Sequence, residues 1–148
     1  MLSQLTYGAV LIAVTVLIHA VCLEGIMKAW RAISIEIAVR WRAISISLTI
    51  IGIFGAHVIQ IWVWAIFYYF VEEIPTWESA LYFSTSSFTT VGYGDLILSE
   101  EWRLLGSIEA INGMILFGWS TAFIFAGVSR IYGHLYGNEE TQAGYTKG

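Results

Sequence analysis

Apolar residues fall in three long blocks separated by short polar stretches. The first, Leu5 to Leu23, is close to the ~20 residues a helix needs to cross a bilayer. His19 is its one residue that titrates near neutral pH. The block predicts a spanning helix that stays with the protein, because Met1-Leu2-Ser3-Gln4 carries no Lys or Arg and no small-residue cleavage site follows. A helix packed outside the remaining domain, or lying at the surface, is the other reading. The second block, Ala43 to Val71, holds only His57 of that kind. It is longer than a bilayer needs, so it predicts a tilted or projecting helix. Its end is aromatic (Trp62, Trp64, Phe67, Tyr68, Tyr69, Phe70), which suits the membrane interface. Gly52 and Gly55 predict close helix packing. The third block is Leu104 to Ser129.

Between the second and third blocks the pattern changes. Pro75-Thr76 opens a short segment, with Thr76 suited to an N-cap and Glu78 to the positive end of a helix dipole. Trp77 to Thr89 is too short and too polar to span, since Ser84, Thr85, Ser86 and Ser87 would face lipid. It predicts a re-entrant helix buried in protein. Its C-terminus, carrying about half a negative charge, would point at the membrane centre.

The remaining polar stretch is basic. Lys28, Arg31, Arg40 and Arg42 are four of the seven Lys/Arg, which marks this loop as cytoplasmic and the N-terminus as outside. Trp30-Arg31-Ala32-Ile33-Ser34-Ile35 recurs as Trp41-Arg42-Ala43-Ile44-Ser45-Ile46, eleven residues on. Eleven residues are nearly three helical turns, so repeated residues return to one face. Ile26, Trp30, Ile33, Ile37, Trp41 and Ile44 would share a side, which predicts an interfacial amphipathic helix; a solvated linker is the alternative. The four cations suit anionic lipid. Their spacing is not the third-position repeat of a voltage sensor.

Composition agrees. Hydrophobic residues make up 57% of the chain and charged residues 12%, against about 45–50% and 25% in soluble domains. This is an integral membrane protein of one domain, with no nucleic-acid signature. The lone Cys22 excludes a disulfide within a subunit. Glu72, Glu73, Glu78, Asp95, Glu100 and Glu101, offset by Arg103, make the outer side acidic and would concentrate cations there. His19, His57 and His134 lie on separate segments and no nucleophile has a base at recognisable spacing, so the expectation is no enzyme and no cofactor.

The stretch with chemistry is Thr89-Thr90-Val91-Gly92-Tyr93-Gly94-Asp95. Gly92 and Gly94 can take positive φ. Alternation with Val91 and Tyr93 lets consecutive carbonyls turn to one side, with the Thr90 hydroxyl adding an oxygen at the inner end. Four such strands about an axis would give stacked oxygen rings able to replace a potassium ion's hydration shell. Thr-Val-Gly-Tyr-Gly-Asp resembles the selectivity filter of the potassium channels, the family through which cation selectivity is usually explained. The resemblance covers residues 44–130 and is to the small prokaryotic-type, two-transmembrane pore domain.

That resemblance implies an all-α fold of outer helix, re-entrant pore helix, filter and inner helix in a homotetramer. Residues 1–43 add an N-terminal helix and a basic interfacial helix, and residues 131–148 a short cytoplasmic tail, expected to be disordered from Gly137. The implied activity is passive K⁺ conduction, with Thr90, Val91, Gly92, Tyr93 and Gly94 forming the filter and K⁺ held by carbonyls of Thr90 to Tyr93 and the Thr90 hydroxyl. Asp95, Tyr82, Ser86 and Thr89 would support it. Ser86 stands where the best-known bacterial member has a glutamate, and Tyr82-Phe83 replaces a common Trp pair. The hypothesis is that Tyr82 bonds Asp95 instead. Leu98 stands where a proline is frequent. On the inner helix, Gly113 and Gly118 match the spacing of a hinge glycine and a second one, and close packing would equally explain them. Glu109 is an acid inside a span, expected beside the pore helix on hydroxyls such as Ser84 or Ser87, or facing ions; Asn112 is a second polar candidate. Two alternatives stay open: a weakly selective cation channel, and a non-conducting subunit regulating a longer channel. The expected location is the cell (plasma or inner) membrane, multi-pass, with the C-terminus cytoplasmic.

Overall fold

The computed structural model describes residues 2–145, with side chains described for residues 2–134. Five helices follow in order: α1 (Leu2–Ala32), α2 (Ile35–Arg40), α3 (Arg42–Phe70), α4 (Trp77–Phe88) and α5 (Arg103–Tyr145). Three are long and apolar enough to cross a membrane: Leu2–Ala32, Arg42–Phe70 and the Arg103–His134 part of α5. No strand occurs among the described residues. The protein is an all-helical membrane protein.

Its surface is inverted relative to a soluble protein. Val10, Val14, Leu17 and Val21 of α1 and Leu48, Ile51, Phe54 and Val58 of α3 are exposed, as hydrocarbon-facing residues are. The buried stripe of α1 is the more polar one: Gln4, Gly8, Leu11, Thr15, His19 and Leu23, three or four residues apart. That stripe lies against both α3 and α5. Asn112 Nδ2 donates to Thr15 Oγ1 at 2.8 Å, Gln60 Nε2 to the Thr15 carbonyl at 3.3 Å, and His19 reaches Gln60 at 3.1 Å. Tyr7 packs its ring, tilted, against those of Phe67 and Trp102. The first helix is therefore part of the domain's core and not an appendage.

The basic stretch differs from the single amphipathic helix expected. α1 continues to Ala32, where the helix breaks. Ser34 caps the short α2, its hydroxyl accepting from Ile37 N at 3.5 Å. Serine competes for backbone groups and favours such caps. The repeated hexapeptides thus part company. Trp30 lies in the last turn of α1, donates its indole N–H to Thr49 Oγ1 at 2.9 Å and packs on α5 where Gly127 leaves room. Trp41 is exposed at the joint of α2 and α3. The supposed common face does not form, because a backbone break at residues 33–34 resets the helical phase.

The tail also differs. α5 continues through Gly137 to Tyr145, so the expected disorder from Gly137 does not hold there, and residues 146–148 lie outside the described residues. Apolar spans of this kind carry helix outward because each added residue gains one hydrogen bond.

α4 is held by its first turn. Thr76 Oγ1 accepts from Ser79 N at 3.1 Å, and Glu78 sits in that turn. The Thr76→Ala variant is expected to lose about 1 kcal/mol of stability, read as a lower melting temperature in detergent, while Thr76→Ser keeps the parent value.

Candidate functional site: the re-entrant helix and the loop that follows

Thr89 caps the C-terminus of α4, its N–H bonding the Thr85 carbonyl at 3.1 Å. The chain then changes hand at alternate residues: φ is +62° at Thr90, +54° at Gly92 and +76° at Gly94. Thr90 has no glycine freedom, so its left-handed backbone stores strain of about 1–2 kcal/mol.

Ser86 organises this loop. Its carbonyl accepts the N–H groups of Val91 at 2.9 Å and Gly92 at 3.1 Å, and its hydroxyl accepts that of Tyr93 at 3.4 Å. Three successive N–H groups therefore point back at α4. Each peptide is trans, and in a trans peptide the N–H and the preceding C=O are opposed. The carbonyls of Thr90, Val91 and Gly92 accordingly point away from α4. Val91 and Tyr93 are 52% and 72% exposed, so the described residues leave most of their surface open.

The outer end is tied down twice. Tyr82 donates its hydroxyl to Asp95 Oδ2 at 2.8 Å, and its ring lies parallel to Tyr93. The bond to the Asp95 carboxylate raises the Tyr82 phenol above its ordinary pKa. Asp95 Oδ1 accepts from Leu96 N at 3.1 Å. Glu73 makes the second tie, accepting from Ser99 N at 2.9 Å and Ser99 Oγ at 2.7 Å. Sequence reasoning placed Glu73 only among the outer acids. An acid 26 residues from its partner leaves no local spacing to find it by.

The inner end rests on α5. Glu109 is fully buried. Ser84 Oγ lies 2.5 Å from Glu109 Oε1 and 2.8 Å from the Ile61 carbonyl, while Tyr68 donates to Glu109 Oε2 at 2.9 Å. Tyr68 was read only as part of an aromatic belt, and its hydroxyl is the partner the sequence hid. Glu109 thus knots α3, α4 and α5 together. Asn112 is also buried and faces Thr15 of α1.

The two glycines differ. A Cβ on Gly113 would sit 2.0 Å from the Phe88 carbonyl oxygen, so α5 touches the last turn of α4 there. A Cβ on Gly118 would meet nothing within 4 Å. Packing accounts for Gly113 and not for Gly118. Thr89, at the loop's entry, donates its hydroxyl to the Thr85 carbonyl at 2.6 Å.

Two spanning helices joined by a half-length helix and an extended loop of outward-turned carbonyls define a membrane-channel pore subunit. A family model described as an ion channel matches residues 56–130. The chain belongs to that ion-channel family, of the two-transmembrane pore type. No curated protein and no solved structure matches it.

Replacing Gly113 with Ala is expected to cost on the order of 3 kcal/mol, because the new methyl must push α5 off Phe88. Gly118→Ala is expected to gain about 1 kcal/mol of helix stability. Thermal unfolding of both in one detergent compares them directly; equal melting temperatures would mean that α5 does not touch α4 at Gly113.

Proposed function

We propose that the chain is one subunit of a potassium-selective channel, with four copies arranged about a central axis. The observation that carries this is the set of Val91, Gly92 and Tyr93 N–H groups gathered on Ser86. It turns the carbonyls of Thr90, Val91 and Gly92 outward together. One strand cannot enclose an ion, and four would stack these oxygens into rings that replace water around K⁺. The Tyr93 carbonyl extends the stack outward and the Thr90 hydroxyl adds the innermost oxygen. Repulsion between ions in file keeps binding from becoming a trap. The dipoles of four α4 C-termini would favour a cation in the cavity below.

In this reading Ser86, Thr89, Tyr82 and Asp95 hold the strand from behind, and Val91 and Tyr93 pack against neighbouring copies. Gly94 closes the outer turn. Gly118 is the flexible point of the pore-lining helix, and Gly113 fixes that helix to the filter's base. Lys28, Arg31, Arg40 and Arg42 lie on the cytoplasmic side of the cell membrane, where anionic lipid headgroups would meet them. The N-terminus is then outside. No cofactor is required beyond the permeant ion.

The test is current through the purified protein in planar bilayers, with potassium on one side and sodium on the other. The expected reversal lies close to the potassium equilibrium potential. A reversal near zero would mean a weakly selective cation pore. Silence alone, followed by current when a longer channel is co-assembled, would make this chain a regulatory subunit. Tyr82→Phe is expected to speed the decay of sustained potassium current several-fold by freeing Asp95. Unchanged decay would remove that bond from the mechanism.

A further inference from the structure

Four buried side chains from three helices close a ring midway along α1. His57 Nδ1 lies 2.9 Å from Gln60 Oε1, and Gln60 Nε2 lies 3.1 Å from His19 Nδ1. On the far side, His57 Nε2 is 2.9 Å and His19 Nε2 is 3.4 Å from Ser120 Oγ. The two imidazoles stack 5.2 Å apart.

The direction of the ring is fixed. Gln60 Nε2 also bonds the Thr15 carbonyl, which only an N–H can satisfy, so the amide cannot be turned around. Gln60 therefore donates to His19 Nδ1 and accepts from His57 Nδ1. A neutral imidazole has one donor and one acceptor. His19 is then protonated on Nε2 and donates to Ser120, and Ser120 donates to His57 Nε2. Every member donates once and accepts once around the circle.

The ring has no place for another proton. A proton on His19 Nδ1 would face the Gln60 amide N–H. A proton on His57 Nε2 would face the Ser120 hydroxyl and displace its hydrogen. Nor is there a counter-charge among the described residues. α1 offers no acid here, its Glu24 being paired with Lys28 at the surface. α3 offers none beside Gln60. α4 contributes the ring of Phe88, and α5 those of Phe117 and Trp119. Glu109 of α5 is engaged by Tyr68 and Ser84. An uncompensated charge among such groups is costly.

The ring's position gives it a mechanical role. α1 grips α5 at Asn112 through Thr15, at Ser120 through His19, and at Gly127 through Trp30. These grips stand on both sides of Gly118. Bending α5 there requires the lower ones to slip. His57 also lines a 290 Å³ cleft with Thr85, Thr89 and Phe117.

We propose that α1 is a splint across the pore-lining helix and that the His19–Gln60–His57–Ser120 ring is its acid-releasable tie. The gating consequence rests on α5 being the moving wall of the proposed pore, whereas the ring itself does not. The test uses the full-length chain in lipid bilayers. Nitrogen NMR near neutral pH is expected to find His57 protonated on Nδ1 and His19 on Nε2; the opposite tautomers would overturn the ring. On acidification from about pH 7.5 to about pH 3.5, continued below the range in which an exposed histidine charges because the ring disfavours the extra proton, amide exchange in the middle of α1 is expected to rise about tenfold. The double variant His19→Gln, His57→Gln should lose that rise. An equal rise in the double variant, or none in the parent, would refute the tie. In bilayers, acid should raise open probability several-fold, and Ser120→Ala should show the raised value already at neutral pH. A parent whose α1 loosens in acid while open probability stays constant refutes the splint and leaves the conduction reading standing. Loss of potassium selectivity refutes that reading alone, since the NMR and exchange results do not depend on it.

Discussion

Everything in this chain follows from where Ser86 sends three backbone N–H groups. In a membrane interior a polar group without a partner is expensive. Here the donors of residues 91–93 are satisfied inside the chain, while the matching carbonyls are turned outward. The rest of the fold keeps that strand in place. Tyr82 and Glu73 fix its outer loop, Glu109 ties the helix behind it, and the absent side chain of Gly113 lets α5 brace the turn where it begins. The strained backbone at Thr90 is tolerated because these contacts over-determine it.

Much of this was legible before any coordinates. Block length marked the spans, and the polarity of Trp77 to Thr89 marked the re-entrant helix, because hydrophobicity and helix length answer directly to the bilayer. The glycine alternation announced the positive φ values at Gly92 and Gly94, since few residues adopt them. Thr90 was invisible in that respect, because a threonine gives no sign that neighbours will force it left-handed. The partners of Glu109 divided in the same way. A serine on the adjacent re-entrant helix was expected, whereas Tyr68, on α3, was hidden by its aromatic surroundings. Long-range pairs such as Glu73 with Ser99 have no periodicity to betray them. The repeat misled, because identical hexapeptides suggest identical structure, and a two-residue break at Ile33-Ser34 was enough to separate them.

The glycines show why spacing alone could not assign roles. Gly113 and Gly118 are equivalent as letters five apart. Only the position of the Phe88 carbonyl distinguishes a glycine that permits close contact from one with open space beside it. The same holds for His19 and His57. Each looked like an isolated histidine in an apolar run, and only the approach of three helices reveals their shared partners, Gln60 and Ser120.

The polar inner stripe of α1 also bears on how the protein is made. α1 leaves the ribosome before α3 and α5, yet Thr15 and His19 find Gln60, Asn112 and Ser120 only 41 to 101 residues later. Until α3 and α5 arrive, the helix must sit in lipid, or beside the insertion machinery, with an imidazole exposed to hydrocarbon. Synthesis order and completion order are therefore reversed, and a truncated chain would strand its first helix in a half-solvated state that quality control can recognise.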